Sequence, residues 1–248
     1  MLCNITLHIE DDYTAMSQKA ADIFAASVRG NPAGAYGFAT GDTPIGMYKI
    51  LIDFHLKGCL DLSGINAYNL DEYHPISKNN PNSYYYFMRK NLYDAVGLPP
   101  TSTFIPCGEA ADPLKECMEY DEKITSTGGI DIQILGIGTN GHIGFNEPDD
   151  KLNAATHYVP LAEATIQSNA KNFGSLHEMP RHALTMGMHG IMMAKCILLL
   201  ASGEKKARIL NQALLGPITT QVPASFLQLH QNVIVVADKD AAGLLKLV

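Results

Sequence analysis

Short apolar runs alternate with stretches of helical period along this chain, and that alternation limits the fold more than any other feature of the sequence. Asp12 to Val28 carries apolar residues at helical spacing, Ala35 to Ala39 is a strand, and Ile45 to Leu56 is helical again. Ile65 to Leu70 is a second strand, and Ser83 to Tyr93 resumes the helical period. Phe104-Ile105-Pro106, a helix over Pro113 to Thr125 and a buried strand over Ile130 to Leu135 follow. Cys196 to Leu200 is a continuous apolar strand before a helix opening near Gly203, and Asn232 to Ala237 is the last strand. Strands alternating with helices predict an α/β fold, an open and mainly parallel sheet flanked by helices in a Rossmann-like three-layer arrangement. No linker, repeat or low-complexity tract divides the chain, so residues 1–248 are expected to form a single domain.

Open α/β sheets bind ligands beyond the carboxyl ends of their strands, and the polar clusters of this sequence fall there. Asp131 to Leu135 empties into Gly136-Ile-Gly-Thr-Asn-Gly-His-Ile-Gly-Phe-Asn-Glu-Pro148. Gly136, Gly138 and Gly141 spell a dinucleotide fingerprint, but that motif needs a long helix immediately afterwards. Gly144, Asn146 and Pro148 interrupt the place where it would run, and proline breaks helical hydrogen bonding. The loop is therefore expected to carry catalytic side chains, His142 with Asn140 before it and Glu147 after it. Thr40-Gly41-Asp42-Thr43-Pro44 joins a strand to a helix start, where unpartnered N–H groups suit phosphate as well as an ordinary turn. Lys206, at a later strand-to-helix junction, could add the positive charge, although taken alone it reads more readily as a solvated lysine. Asp71 ends a strand and is followed by Glu72; adjacent acids in an extended chain point to opposite faces.

Bulk properties exclude several classes. With 46% hydrophobic and 17% charged residues the chain is expected to be globular. A net charge of -7 without a basic stripe gives no electrostatic footing for nucleic acid or anionic membrane. No apolar run approaches the roughly 20 residues of a spanning helix, and the N-terminus lacks a signal-peptide pattern, so a cytoplasmic location is expected. Cys3, Cys59, Cys107, Cys117 and Cys196 are scattered without a C-x-x-C pair, and read as reduced thiols. His177, His182 and His189 form no compact ligand set, so no metal is expected.

Taken together, Thr40 to Pro44, Asn69 to Tyr73, Pro81 to Tyr84, Leu135 to Pro148, Ala183 to Gly187 and Pro223 to Ser225 resemble the glucosamine/galactosamine-6-phosphate isomerase family, which includes the glucosamine-6-phosphate deaminases. Their order and spacing match across nearly the whole chain. The resemblance implies isomerisation with loss of ammonia from a hexosamine 6-phosphate, with no metal or organic cofactor. Asp71 would then be the base that moves a proton between C2 and C1. His142 would move the proton at the ring oxygen, with Glu147 and Asn140 orienting it. Thr40, Gly41, Thr43 and Lys206 would hold the phosphate, and Tyr84 would line the site.

This sequence also departs from the family. Asp42 stands where Gly or Ser is usual, and Lys171 stands where a phosphate-binding Arg is common, losing the bidentate fork. Both put the sugar in doubt, so a galactosamine 6-phosphate deaminase stays open, as Pro223 to Leu227 also allows. A 6-phosphogluconolactonase-like hydrolase or a non-catalytic sugar-phosphate sensor are the other readings; the first does not require Asp71 beside the His142 and Glu147 pair. Members activated by N-acetylglucosamine 6-phosphate place Arg at Ala155 and Lys at Val159, so no such activation is expected here. Hexamers occur in the family, and a homo-oligomer is possible; monomer, dimer and hexamer remain open.

Overall fold

The computed structural model describes residues 4–169, 173 and 178–245. Its strands are β1 (Ile5–Glu10), β2 (Ala35–Phe38), β3 (Asn66–Asn69), β4 (Asp71–His74), β5 (Thr103–Phe104), β6 (Ile132–Gly136), β7 (His157–Pro160), β8 (His182–Thr185), β9 (Ile197–Ala201) and β10 (Val233–Asp238). Seven of them form one sheet in the order β1-β10-β9-β6-β2-β3-β5, with every neighbouring pair parallel. Strands of such a sheet are covered on both faces, which is why β9 is apolar at every position and wholly buried.

The helices are α1 (Tyr13–Gly30), α2 (Ile45–Leu56), α3 (Tyr84–Met88), α4 (Pro113–Ser126), α5 (Glu163–Asn169), α6 (Met188–Met192), α7 (Ala207–Leu215) and α8 (Lys239–Ala242). α1 begins where the Asp12 carboxylate accepts the Ala15 N–H at 2.9 Å, and buries Met16, Ala20, Ala21, Phe24 and Val28 against the sheet. Around the β2 strand Phe24, Tyr36, Phe38, Tyr48 and Tyr93 pack as a chain of tilted rings with centroids 5.1 to 6.0 Å apart. α1 and α2 approach closely at Gly46, where a Cβ would lie 2.3 Å from Ser17 Oγ.

From β2 the chain winds outward through β3 to β5, and from β6 it winds the other way through β9 to β10. The winding direction thus reverses between β2 and β6, and the loops leaving these two strands part there to open a crevice.

The sequence led to a polar strand end at Asp71, but the chain continues as β4 in a second, antiparallel sheet of order β4-β8-β7. Leu70 makes the switch: its N–H reaches Phe38 O in the main sheet, while its carbonyl accepts the Met186 N–H at 2.7 Å beside β8. The helix expected over Ser83 to Tyr93 is α3 continued by a π-helical turn at Arg89–Tyr93. β1, β7 and β8 had no counterpart in the sequence reading. β7 and β8 are four-residue antiparallel strands and β1 is a half-exposed edge strand, and all three take their identity from partners distant in sequence, which local pattern does not record. Among the described residues no helix is long and apolar enough to cross a membrane.

Candidate active site

A cavity of about 380 Å³ opens at the crevice between β2 and β6. One wall is the loop after β2. Gly41 takes φ +95°, a conformation open to glycine, and α2 starts at Ile45 with no side chain capping its first turn. The Tyr13 hydroxyl fixes this loop from outside, donating to Asp42 O and accepting the Gly46 N–H at 2.8 Å. Thr40, Gly41, Asp42 and Thr43 all line the cavity. Lys206, ahead of α7, enters from the side of β9, its Nζ donating to Ile137 O at 2.7 Å. Burial pushes its amine below the ordinary lysine value, and it forms no ion pair among the described residues. An ammonium held half-buried with no carboxylate against it is suited to an anion.

The second wall is the loop after β6, which closes a tight turn through Gly141 (φ +92°) and Gly144 (φ +59°) instead of starting a helix. Gly138 has no side chain because the His142 ring occupies that space: a Cβ there would lie 2.4 Å from the ring. His142 Nδ1 lies 3.1 Å from Glu147 Oε2, which also accepts from Asn140 Nδ2 at 2.7 Å. Asn140 Oδ1 accepts the His142 backbone N–H at 3.2 Å. Burial alone would raise the Glu147 carboxyl, but the hydrogen bond and charge of His142, with Asn140 and Thr165, bring it below its ordinary value. Glu147 is thus an anion beside Nδ1, which fixes the ring and leaves its other nitrogen for the cavity.

Asp71 forms the floor. It pairs with Thr185 across β4 and β8, and Gly144 of the imidazole loop sits against both side chains, a Cβ there falling 3.5 Å from Asp71 Oδ2. The carboxyl makes no hydrogen bond among the described residues and is 7% exposed. Burial, with the neighbouring Glu72 charge, pushes it up to about 8. A carboxyl in that range exchanges protons near neutral pH, as an enolisation base must. Tyr84 lines the cavity above it, its ring parallel to Phe145 at 6.1 Å.

The cavity therefore gathers Thr40, Gly41, Asp42, Thr43, Asp71, Tyr84, His142 and Lys206, with Asn140 and Glu147 behind the imidazole. Lys171 lies outside the described residues. Sequence reasoning missed Thr165 of α5, which lines the cavity and donates to Glu147 Oε1 at 3.0 Å. It stands eighteen residues beyond its acceptor in no recognisable motif. Gly138 belongs to no dinucleotide fingerprint: it is the glycine that makes room for the imidazole.

The family described as glucosamine-6-phosphate isomerases/6-phosphogluconolactonase matches residues 11–236. A glucosamine-6-phosphate deaminase of Alkaliphilus oremlandii is 50% identical over 239 residues, spanning 96% of this chain and 99% of its own. One of Halothermothrix orenii is 48% identical, spanning 96% and 98%. The solved structure of a monomeric glucosamine-6-phosphate deaminase superposes with a TM-score of 0.93 at 42% identity, covering 97% of this chain and 100% of that one. A 6-phosphogluconolactonase from Trypanosoma cruzi, at 18% identity and a TM-score of 0.81, shares the fold.

Proposed function

This chain belongs to the family of glucosamine-6-phosphate isomerases and 6-phosphogluconolactonases, and on that premise we propose that it converts glucosamine 6-phosphate and water to fructose 6-phosphate and ammonia. The observation that carries the reading is that a buried carboxyl, Asp71, and a carboxylate-paired imidazole, His142, line the same cavity as an anion-binding loop. A lactone hydrolase needs no base at the position of Asp71.

In this reading Thr40, Gly41, Thr43 and Lys206 hold the 6-phosphate, which sets the sugar's register along the cavity. His142, oriented by Glu147 and Asn140, delivers a proton to the ring oxygen as the hemiacetal hydroxyl loses its own, and the pyranose opens. Asp71 removes the C2 proton of the open chain as O1 gains a proton, giving an enolamine, and then returns a proton to C1 as nitrogen loses one, leaving a C=N bond at C2. Water adds to C2, the C–N bond breaks with the electron pair going to nitrogen, and ammonia departs to leave the ketone. Every step is a proton transfer, a hydration or the elimination of ammonia, and the proton transfers fall to these groups. Asp42 is read as a contact for a substrate hydroxyl with its charge turned from the phosphate. The setting is cytoplasmic amino-sugar catabolism, including sugar derived from N-acetylglucosamine.

The test incubates the purified protein separately with glucosamine 6-phosphate and galactosamine 6-phosphate and measures ammonia and ketose phosphate. Turnover of the glucosamine epimer is the expected result. Preference for the galactosamine epimer would reassign the sugar, and silence with both would remove the activity.

A further inference from the structure

Among the described residues the mechanism leaves two buried acids unused: Asp238, which caps α8, and Glu72, which stands beside the base. Glu72 is 2% exposed and leaves β4 on the face opposite Asp71. Its Oε1 accepts the N–H groups of Tyr73 and Tyr84 at 2.9 Å, and its Oε2 accepts the Tyr85 N–H at 2.8 Å. A buried carboxylate is a costly anchor, and two of its three donors, the Tyr84 and Tyr85 N–H groups, come from a turn twelve residues away, so the position of that turn matters. What it positions is Tyr84, whose ring faces the cavity, lies parallel to Phe145 of the imidazole loop and donates its hydroxyl to Tyr73 at 3.2 Å.

We propose that Glu72 is a positioning residue for the deamination: its carboxylate ties the backbone of Tyr84 and Tyr85 to the strand that carries Asp71, holding the Tyr84 ring as the wall against which the opened sugar chain lies beside the base. The inference rests on the deaminase reading and adds to it a residue that never touches substrate. A second consequence follows from adjacency. Asp71 lies within electrostatic range of the phenols of Tyr84 and Tyr120 and opposite Thr185, with His142 and Lys206 around the same cavity. Among the described residues Glu72 is the one other acid acting on it.

Glu72→Gln keeps the size of the side chain, removes the charge and sets an amide N–H against a backbone N–H. The expected result is a loss in kcat of about tenfold with a much smaller change in KM, since the phosphate contacts stand on other elements. The acid limb of kcat/KM moves to lower pH by about one unit, which a merely structural loss would not do. Tyr84→Leu lowers kcat by itself, and E72Q combined with it lowers kcat no further. An unmoved acid limb, or losses that multiply in the double variant, would overturn the proposal. Should E72Q fail to fold, Ser83→Ala loosens the same turn by removing the acceptor of the Tyr86 N–H. S83A is put through the same cycle with Tyr84→Leu: non-multiplying losses support the proposal and multiplying losses overturn it. Wild-type protein inert toward both hexosamine phosphates would sink the deaminase reading and this inference together; an active wild type with an unshifted E72Q sinks this inference alone.

Discussion

At the scale of single residues, the site is built by placing groups where folding alone would not put them. Asp71 has a folded-state value of about 8 against about 3.9 for a free aspartate. Its contribution to stability is full below about pH 4 and is lost as pH rises toward 8, because the native state must then hold a buried anion. Asp71→Asn removes that burden, so the variant is expected to melt a few degrees above wild type at pH 8.5 and to lose this advantage by pH 5. It is also expected to lose exchange of the C2 proton in D₂O. A variant that exchanges normally, or melts below wild type at both pH values, would contradict the burial of a working base. Gly138→Ala tests the imidazole from beneath. Its Cβ falls 2.4 Å from the ring, so the ring must swing from Glu147, and kcat/KM should fall by roughly a hundredfold while the melting temperature moves little. These residues were legible in the sequence because His142, Asn140 and Glu147 lie within eight positions of one another. Thr165 and the three-donor anchor at Glu72 were not, since a hydrogen bond between segments leaves no local pattern.

At the scale of elements, the reversal between β2 and β6 supplies the crevice, and each wall is a strand-to-loop transition. α2 spans Ile45–Leu56 as its sequence predicts, because Gly41 and Pro44 mark a turn and the apolar period begins at once. The second sheet was hidden. Asp71 looks like the polar end of a strand until Leu70 is seen to bond both sheets, and that bond depends on Met186, far along the chain. Lys206 tests the division of labour between elements, since it enters from the β9 side while the proposed base, Asp71, sits on β4. Lys206→Ala should raise KM by at least about tenfold and change kcat much less, as expected for a contact made equally in ground and transition states. Initial rates over a wide substrate range decide it; an unchanged KM would move the phosphate elsewhere.

For the whole molecule, the alternation of strands and helices dictates the architecture, whereas the expected absence of activation turns on two side chains. In the resembling enzymes that N-acetylglucosamine 6-phosphate activates, a cation stands at each of the positions filled here by Ala155 and Val159. Val159 lies in β7 opposite Ala183 and packs on the apolar cluster of Tyr73, Phe145 and Ile166 beneath the site. A lysine there would have to bury its stem among those rings. The backbone at Ala155 is pressed against Gly187, where a Cβ would fall 2.1 Å from the Ala155 carbonyl oxygen. Ala155 also borders a cavity of about 370 Å³ whose ionisable lining residues are Asp121 and His189. Asp121 is already engaged by Thr156, and an acidic group beside a phosphate repels it. Among the described residues a phosphorylated effector meets no fixed cation there, and an effector without differential binding cannot shift an equilibrium between conformations. Rate against glucosamine 6-phosphate should be hyperbolic and stay unchanged when the acetylated sugar phosphate is added at saturating levels. A sigmoidal curve that the acetylated sugar straightens would show that another part of this molecule supplies the missing charge.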